Sequence, residues 1–347
     1  MTIHTLDRTA VECLSNSDCW ELDELGLITP DGAEALMDLS SNAEPLRKKI
    51  QFKASSLRSI SREACEALVK NFNSIALPGL QSLAPEVAKA FEYRDCNLDL
   101  SGLCELSTTA AESPALHRGV LTVRIEESSE ALRIIVKHDY MPVVIVGLSR
   151  IEVCEASILA TMPGVFLPDL THLTVEAACI ISQVPGAVWL RGLTTTEPSV
   201  LKKLVEQKGQ LAIGLESMDT EAARILATHE GICLDLCRLS RSTVDALQIL
   251  LNWYRGTLMF NGTDDFPLGF TDLVIRRCGR IEAEEAIRES GGAEAQDFVD
   301  RRGNFKRPNG KPPRIVFRNC PQETKERFRV ACDDRFINTR GDSGLHI

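Results

Sequence analysis

Twelve cysteines in 347 residues are the first place to look for chemistry, because thiolates ligate metals, attack carbonyls and form disulfides. Their spacing supports none of these. No two are separated by two residues, so there is no Cys-x-x-Cys knuckle, and the nearest pair, Cys233 and Cys237, has no second pair or His couple beside it. Cys65 and Cys179 fall in helical stretches, where Cys serves as a small apolar filler. The histidines are scattered without a Ser, Cys or Asp partner at a catalytic spacing. His117, His138 and His229 fall near helix ends, a favourable place against the helix dipole. Gly303 with Gly310-Lys311 fails as a phosphate loop, since six residues separate the glycines and Pro312 stands where Ser or Thr is required. No catalytic residue, metal site or cofactor is expected.

The elements that position side chains announce themselves by a hydrophobic pattern that restarts about every 23 residues from Trp20 to about Gly262. Its frame is apolar-x-apolar-x-x-Leu-x-x-Leu, then a Ser/Thr/Pro/acid step, then a short Ala/Leu-rich helical run. Leu98-Asp-Leu100-Ser-Gly-Leu103-Cys-Glu-Leu106 is one copy. The starts fall at Trp20, Ile50, Ile75, Leu98, Leu121, Val143, Val165, Val188, Leu211, Ile232 and Leu258. Copies at Leu121, Leu211 and Ile232 lack one residue before the third apolar position. Period-two apolar spacing makes a short strand, and the later spacing of three and four makes two helical turns. Ser61-Arg62-Glu63, Thr174-Val175-Glu176 and Asp219-Thr220-Glu221 mark helix starts. Gly119, Gly164, Gly186, Gly209, Gly231 and Gly256 mark helix exits as left-handed stops. A fixed period of this length implies a solenoid in which each copy buries its apolar flank against the next.

This grammar resembles the leucine-rich-repeat superfamily, specifically its short bacterial-type repeats that carry a helix. The resemblance covers roughly 240 residues. It departs in lacking the Asn that normally follows the Leu-x-Leu strand; Gly-Leu stands there, as at Gly102-Leu103 and Gly192-Leu193. The resemblance implies an α/β solenoid with a parallel sheet on the concave face and short helices outside. Without the Asn ladder, its backbone hydrogen bonds must be met otherwise.

On such a sheet, the positions between the strand apolars form an outward row: Gln51, Ala76, Asp99, Thr122, Val144, Phe166, Trp189, Ala212, Cys233 and Met259. The row two residues on contains Arg124, Val146, Pro168, Arg191 and Asp235. Val144, Val146, Phe166 and Trp189 form an apolar patch flanked by Arg124 and Arg191, the signature of a recognition surface with Trp189 as anchor. Two other outcomes are open: the chain's own tail covers the patch, or a frame slip turns Phe166 and Trp189 inward.

Composition sets the remaining bounds. The chain is 44% apolar with a net charge of −10. Residues 1–270 hold 23 Lys/Arg against 36 Asp/Glu, and residues 271–347 hold 16 against 13. An acidic solenoid disfavours nucleic acid as a ligand. No apolar run suggests a membrane span or a signal peptide, and many cysteines suit a reducing compartment, so a cytoplasmic protein is expected. The reading is a cap at 1–19, repeats over 20–270, and a C-terminal capping region or small module at 271–347. Within that region Arg314–Phe317 reads as a strand, and the basic run Arg301–Lys311 as a solvated loop. The leading function is a non-enzymatic scaffold that binds a protein partner through the sheet. A structural or self-associating repeat protein is the first alternative, and an enzyme or nucleic-acid module in the C-terminal region the second.

Overall fold

The computed structural model describes residues 3–17, 19–42, 49–104, 106–126, 129–138, 142–236, 238–254, 256–261, 315–318 and 345–346. It is a mixed α/β protein dominated by parallel sheet. The chain divides into two compact units, one of residues 1–149 and 157–169, the other of 150–156 and 170–347.

In the first unit, strands Cys19–Glu21, Lys49–Lys53, Phe72–Ala76, Asn97–Leu100, Leu121–Arg124, Val143–Val146 and Val165–Phe166 lie side by side in chain order, all parallel. Consecutive parallel neighbours require a crossover, and a helix supplies it. Arg62–Asn71 and Thr108–Ala115 are two of these crossovers. Leu98, Leu100, Leu121, Val123, Val143 and Ile145 are all buried against the helices, each contributing roughly 1.5–3 kcal/mol. The N-terminal segment is more than a lid. Thr5–Leu6 pairs in parallel with Leu27–Ile28, and the helix Arg8–Leu14 packs on the helix Pro30–Asn42, so it supplies half a repeat.

In the second unit, strands Val188–Leu190, Gln210–Ile213, Cys233–Leu236, Thr257–Asn261 and Ile315–Arg318 are parallel in chain order. Leu345–His346 then pairs antiparallel with Ile315–Arg318. The strand expected at Arg314–Phe317 is therefore present, one residue later. It joins the sheet beside Thr257–Asn261 and gives that edge a hydrogen-bonding partner. Helices Val175–Ile181, Pro198–Leu204, Thr220–Leu226 and Val244–Trp253 pack successively on one another. The other expectations for residues 271–347, including the basic run Arg301–Lys311, lie outside the described residues.

Helix starts follow one recipe. Asp7, Ser61, Ser107, Thr174, Asp219 and Thr243 each accept, through the side chain, the backbone N–H of an Ala three residues on, which satisfies one orphan donor of the first turn. The alanine is small enough to be buried under the neighbouring helix at most of these sites.

Registers correct the frame in two places. Phe52, not Ile50, pairs with Ile75, and Leu234, not Ile232, pairs with Leu211 and Leu258; Ile232 is 51% exposed. From Phe52 onward the starts are then spaced 22–24 residues apart. The shortening assigned to the copy at Ile232 also disappears, since Leu234, Leu236 and Leu239 match the spacing of Leu98, Leu100 and Leu103.

Candidate functional site

In the second unit, Val188 and Leu190 are fully buried, so the alternation of the strand turns Trp189 to the opposite face of the sheet. Trp189 is half-buried there. Arg191 leaves the strand on the same side and lays its guanidinium over the indole, 4.8 Å from the ring centroid. Its Nη2 donates to Asp235 Oδ2 at 2.7 Å. The register Trp189–Ala212–Asp235–Met259 places Asp235 two strands from Trp189, roughly 10 Å at ordinary strand spacing. Arg191 crosses that span because the intervening strand is low: Ala212 is fully buried and the next outward position is Gly214. A Cβ at Gly214 would collide with the Arg191 carbonyl.

Asp235 exposes only 1% of its surface, and a buried carboxylate is costly unless paired. Arg191, about a third exposed, is that counter-ion. Arg238, itself exposed, donates Nη1 to the Arg191 carbonyl at 3.0 Å. The guanidinium of Arg191 is thereby fixed by an aromatic face below and a carboxylate at one end. A rigid, amphipathic Trp–Arg pair can bind; it holds no nucleophile beside a base.

The first unit carries Arg124, Val144, Val146 and Phe166, and its arrangement differs. Among the described residues Arg124 bonds Glu126, two residues on, at 3.1 Å, and the carbonyl of Ser101 in the adjacent copy at 2.9 Å. Val144 and Val146 are half-buried. Phe166, expected to be exposed, is only 8% accessible, although Val165 and Leu167 on either side occupy the core-facing positions. Of the expected surface residues, the structure brings together Trp189 and Arg191. Their partner Asp235 had been placed in the wrong row by the slip at Ile232, and the expected Gln51 and Cys233 give way to Lys53 and Asp235 in the outward row.

A second set of polar groups was missed as a set. At five of the returns from helix to strand, a buried side chain bonds the backbone of the preceding copy. Asn71 donates to the Leu36 carbonyl at 2.7 Å. His117 places Nδ1 3.0 Å from the Phe91 carbonyl and Nε2 on the Cys96 carbonyl. In the second unit, Gln207 Nε2 donates to the Val184 and Gly186 carbonyls. His229 Nδ1 meets the Val205 carbonyl at 3.1 Å, and the Tyr254 hydroxyl donates to Gly231 at 3.2 Å. These residues satisfy carbonyls of the preceding copy on the side where the chain enters each of these strands. His117, His138 and His229 follow the helices that end at Ala115, Ile135 and Leu226, as expected, and all three are buried. Burial pushes the His117 and His229 pKa values down, against the pull of the carbonyls they face.

The glycines two residues later explain themselves the same way. A Cβ at Gly119, Gly209 or Gly231 would strike the previous copy's carbonyl, and one at Gly256 would strike the Tyr254 ring. None of these is left-handed; among the described glycines only Gly147 has positive φ, +89°. Close approach, not a helix-stop conformation, selects glycine here.

The cysteines divide by burial. Cys65 and Cys96 are buried, and burial raises the Cys65 thiol pKa. Cys179, expected as filler, is exposed, as are Cys13, Cys19, Cys104 and Cys154. Among the described residues no helix is long and apolar enough to cross a membrane. Neither models of known protein families nor curated proteins yield a match to this chain.

Proposed function

We propose that this chain is a leucine-rich-repeat-like α/β solenoid that works in the cytoplasm as a non-enzymatic protein-interaction scaffold, binding its partner on the open face of the sheet. The supporting observation is the pre-ordered Trp189–Arg191 pair. Trp and Arg dominate binding energy at protein interfaces, chiefly when held rigid and partly desolvated. Here both conditions hold before any partner arrives, so less side-chain freedom is lost on association. The regular copies fit the repeat architecture, and the number of cysteines fits a reducing compartment.

The test uses the full chain immobilised in native lysate. Trp189→Ala should remove the specifically retained proteins while leaving the thermal midpoint within a few degrees, because the indole lies on the face opposite the core-facing Val188 and Leu190. Retention that is unchanged in the variant, at equal midpoint, would rule out this face as the interface.

A further inference from the structure

The face around Trp189 also indicates the chemistry of what it would hold, an inference that rests on the scaffold reading. Three copies contribute to it: Trp189 and Arg191 from the first, Ala212 and Gly214 from the second, Asp235 and Arg238 from the third. Asp235 is nine-tenths buried and more, and its carboxylate is occupied by Arg191. It therefore offers an incoming ligand almost no negative surface. What remains accessible is cationic and apolar. Arg191 is about a third exposed and uses one donor of its fork on Asp235. Its Nε is buried, so the exposed remainder of the guanidinium is what can meet a ligand. Arg238 is exposed and uses one donor on the Arg191 carbonyl. That bond brings the Arg238 guanidinium to the backbone of the residue whose own guanidinium covers Trp189. Trp189, half-buried, supplies the apolar ground.

Among the described residues, Arg191, Arg238 and Asp235 together carry one more positive than negative charge. We infer that this face docks an acidic peptide segment of a partner protein, its Asp or Glu carboxylate received by Arg191 and Arg238 and a neighbouring aliphatic side chain resting on Trp189. Guanidinium and carboxylate match in geometry and charge, and such bonds are roughly twice as strong as neutral ones. A nucleic acid presents the same sign of charge but at every residue. It would have to lie along a molecule whose first 270 residues carry 36 acidic against 23 basic groups, and that field opposes a polyanion while a single carboxylate is small enough to use the local exception.

Fluorescein-labelled peptides of alternating Glu-Leu, Gln-Leu and Lys-Leu, read by anisotropy against the full chain, test the assignment. The Glu-Leu peptide should bind, and the Gln-Leu and Lys-Leu peptides should bind at least tenfold more weakly. Arg238→Glu should cut Glu-Leu affinity on the order of tenfold or more, as reversing one rim charge does by replacing attraction with repulsion. Its stability should be unchanged, since Arg238 is exposed. Raising salt from 0.05 to 0.5 M should weaken binding as screening shortens. Equal binding of Glu-Leu and Gln-Leu peptides, or an Arg238→Glu variant that binds Glu-Leu as well as the parent, would overturn the inference. A thymidine decamer that competes as well as the Glu-Leu peptide would overturn it in favour of general polyanion binding. If Trp189→Ala abolishes lysate capture while the peptides show no charge preference, the scaffold reading survives and the acidic-peptide assignment alone falls. If neither responds, both fall.

Discussion

Arg124 and Arg191 occupy the same position of the repeat, three residues after the strand starts Leu121 and Val188, yet they do different things. Arg124 in the first unit bonds Glu126, two residues along its own chain, and the Ser101 carbonyl. Arg191 in the second unit reaches Asp235, 44 residues away in sequence, across a copy kept low by Ala212 and Gly214. The first is a solvated surface pair of the kind that contributes little. The second ties three copies together and fixes an aromatic ring beneath it. What separates them is the neighbour: Arg191 reaches a distant carboxylate because the adjacent copy, with Ala212 and Gly214, lets it pass.

The strongest challenge to that view is Gly214→Ala. Its added Cβ meets the Arg191 carbonyl, a backbone atom that cannot swing aside, so the strand exit must shift. We expect a loss of about 3 kcal/mol, in the range of the named severe mechanisms, measured by urea denaturation of the full chain. A companion change, Gly147→Ala in the first unit, confronts a positive φ of +89° rather than a collision with backbone alone, and the αL-type penalty is about 1–2 kcal/mol. Equal losses for the two would show that close approach in the second unit is not the governing constraint.

Next in size is Asp235→Ala. Removing one partner of a well-buried pair typically costs about 3–5 kcal/mol, but Arg191 is a third exposed and recovers hydration, so about 2 kcal/mol is expected after discounting for solvent. Glu126→Ala, whose carboxylate is mostly exposed, should change stability by less than about 0.5 kcal/mol. A double-mutant cycle between Arg191→Ala and Asp235→Ala should give a coupling well above that of Arg124→Ala with Glu126→Ala. Similar couplings would reduce Arg191 to another surface cation.

How much of this was legible beforehand turns on particular residues. The strand–helix period was readable, because Leu98-x-Leu100-x-x-Leu103 and its relatives repeat the burial they predict. The slip at Ile232 was not avoidable by pattern alone. Ile232, Leu234 and Leu236 share one parity, so two frames bury the same face equally well, and only pairing with Leu211 and Leu258 decides between them. That two-residue error moved Asp235 out of line with Trp189 and hid its link to Arg191. The buried polar series escaped for another reason: Asn71, His117, Gln207, His229 and Tyr254 share no chemistry except the ability to reach a carbonyl. The available signal was the glycine two residues on, at Gly119, Gly209, Gly231 and Gly256, which was read as a helix stop. Exposure of Phe166 was beyond reach, because alternation says which face a residue takes and not what else lies on that face.

The polar series provides the finest comparison, since His117 in the first unit and Gln207 in the second stand at the same place, four residues before Leu121 and Leu211. Gln207 has an NH2 group with two N–H bonds and gives them to two carbonyls, Val184 and Gly186. His117 faces two carbonyls as well, Phe91 and Cys96, but a neutral imidazole has only one N–H to give. Protonation would supply the second, and burial forbids it: the pKa of His117 is lowered with desolvation as the leading cause, as is that of His229. The sign follows. Unfolded histidine titrates near 6.5, so between that value and the lower folded pKa the unfolded chain binds more protons than the folded one, and stability rises with pH. The contribution of neutral burial is complete above about pH 6.5 and is lost as pH falls from there through the folded pKa values. His117→Gln should leave stability at pH 8 close to the parent's, because the amide can serve both carbonyls as Gln207 does while its own oxygen, like that of Gln207, is left buried without a partner, and should flatten the acid limb of a stability-against-pH curve. Adding His229→Gln should flatten it further, by an independent increment. An acid limb unchanged in both variants would mean that other groups govern it, and a marked loss at pH 8 would mean that the imidazole ring is required for its shape and not for its hydrogen bonds.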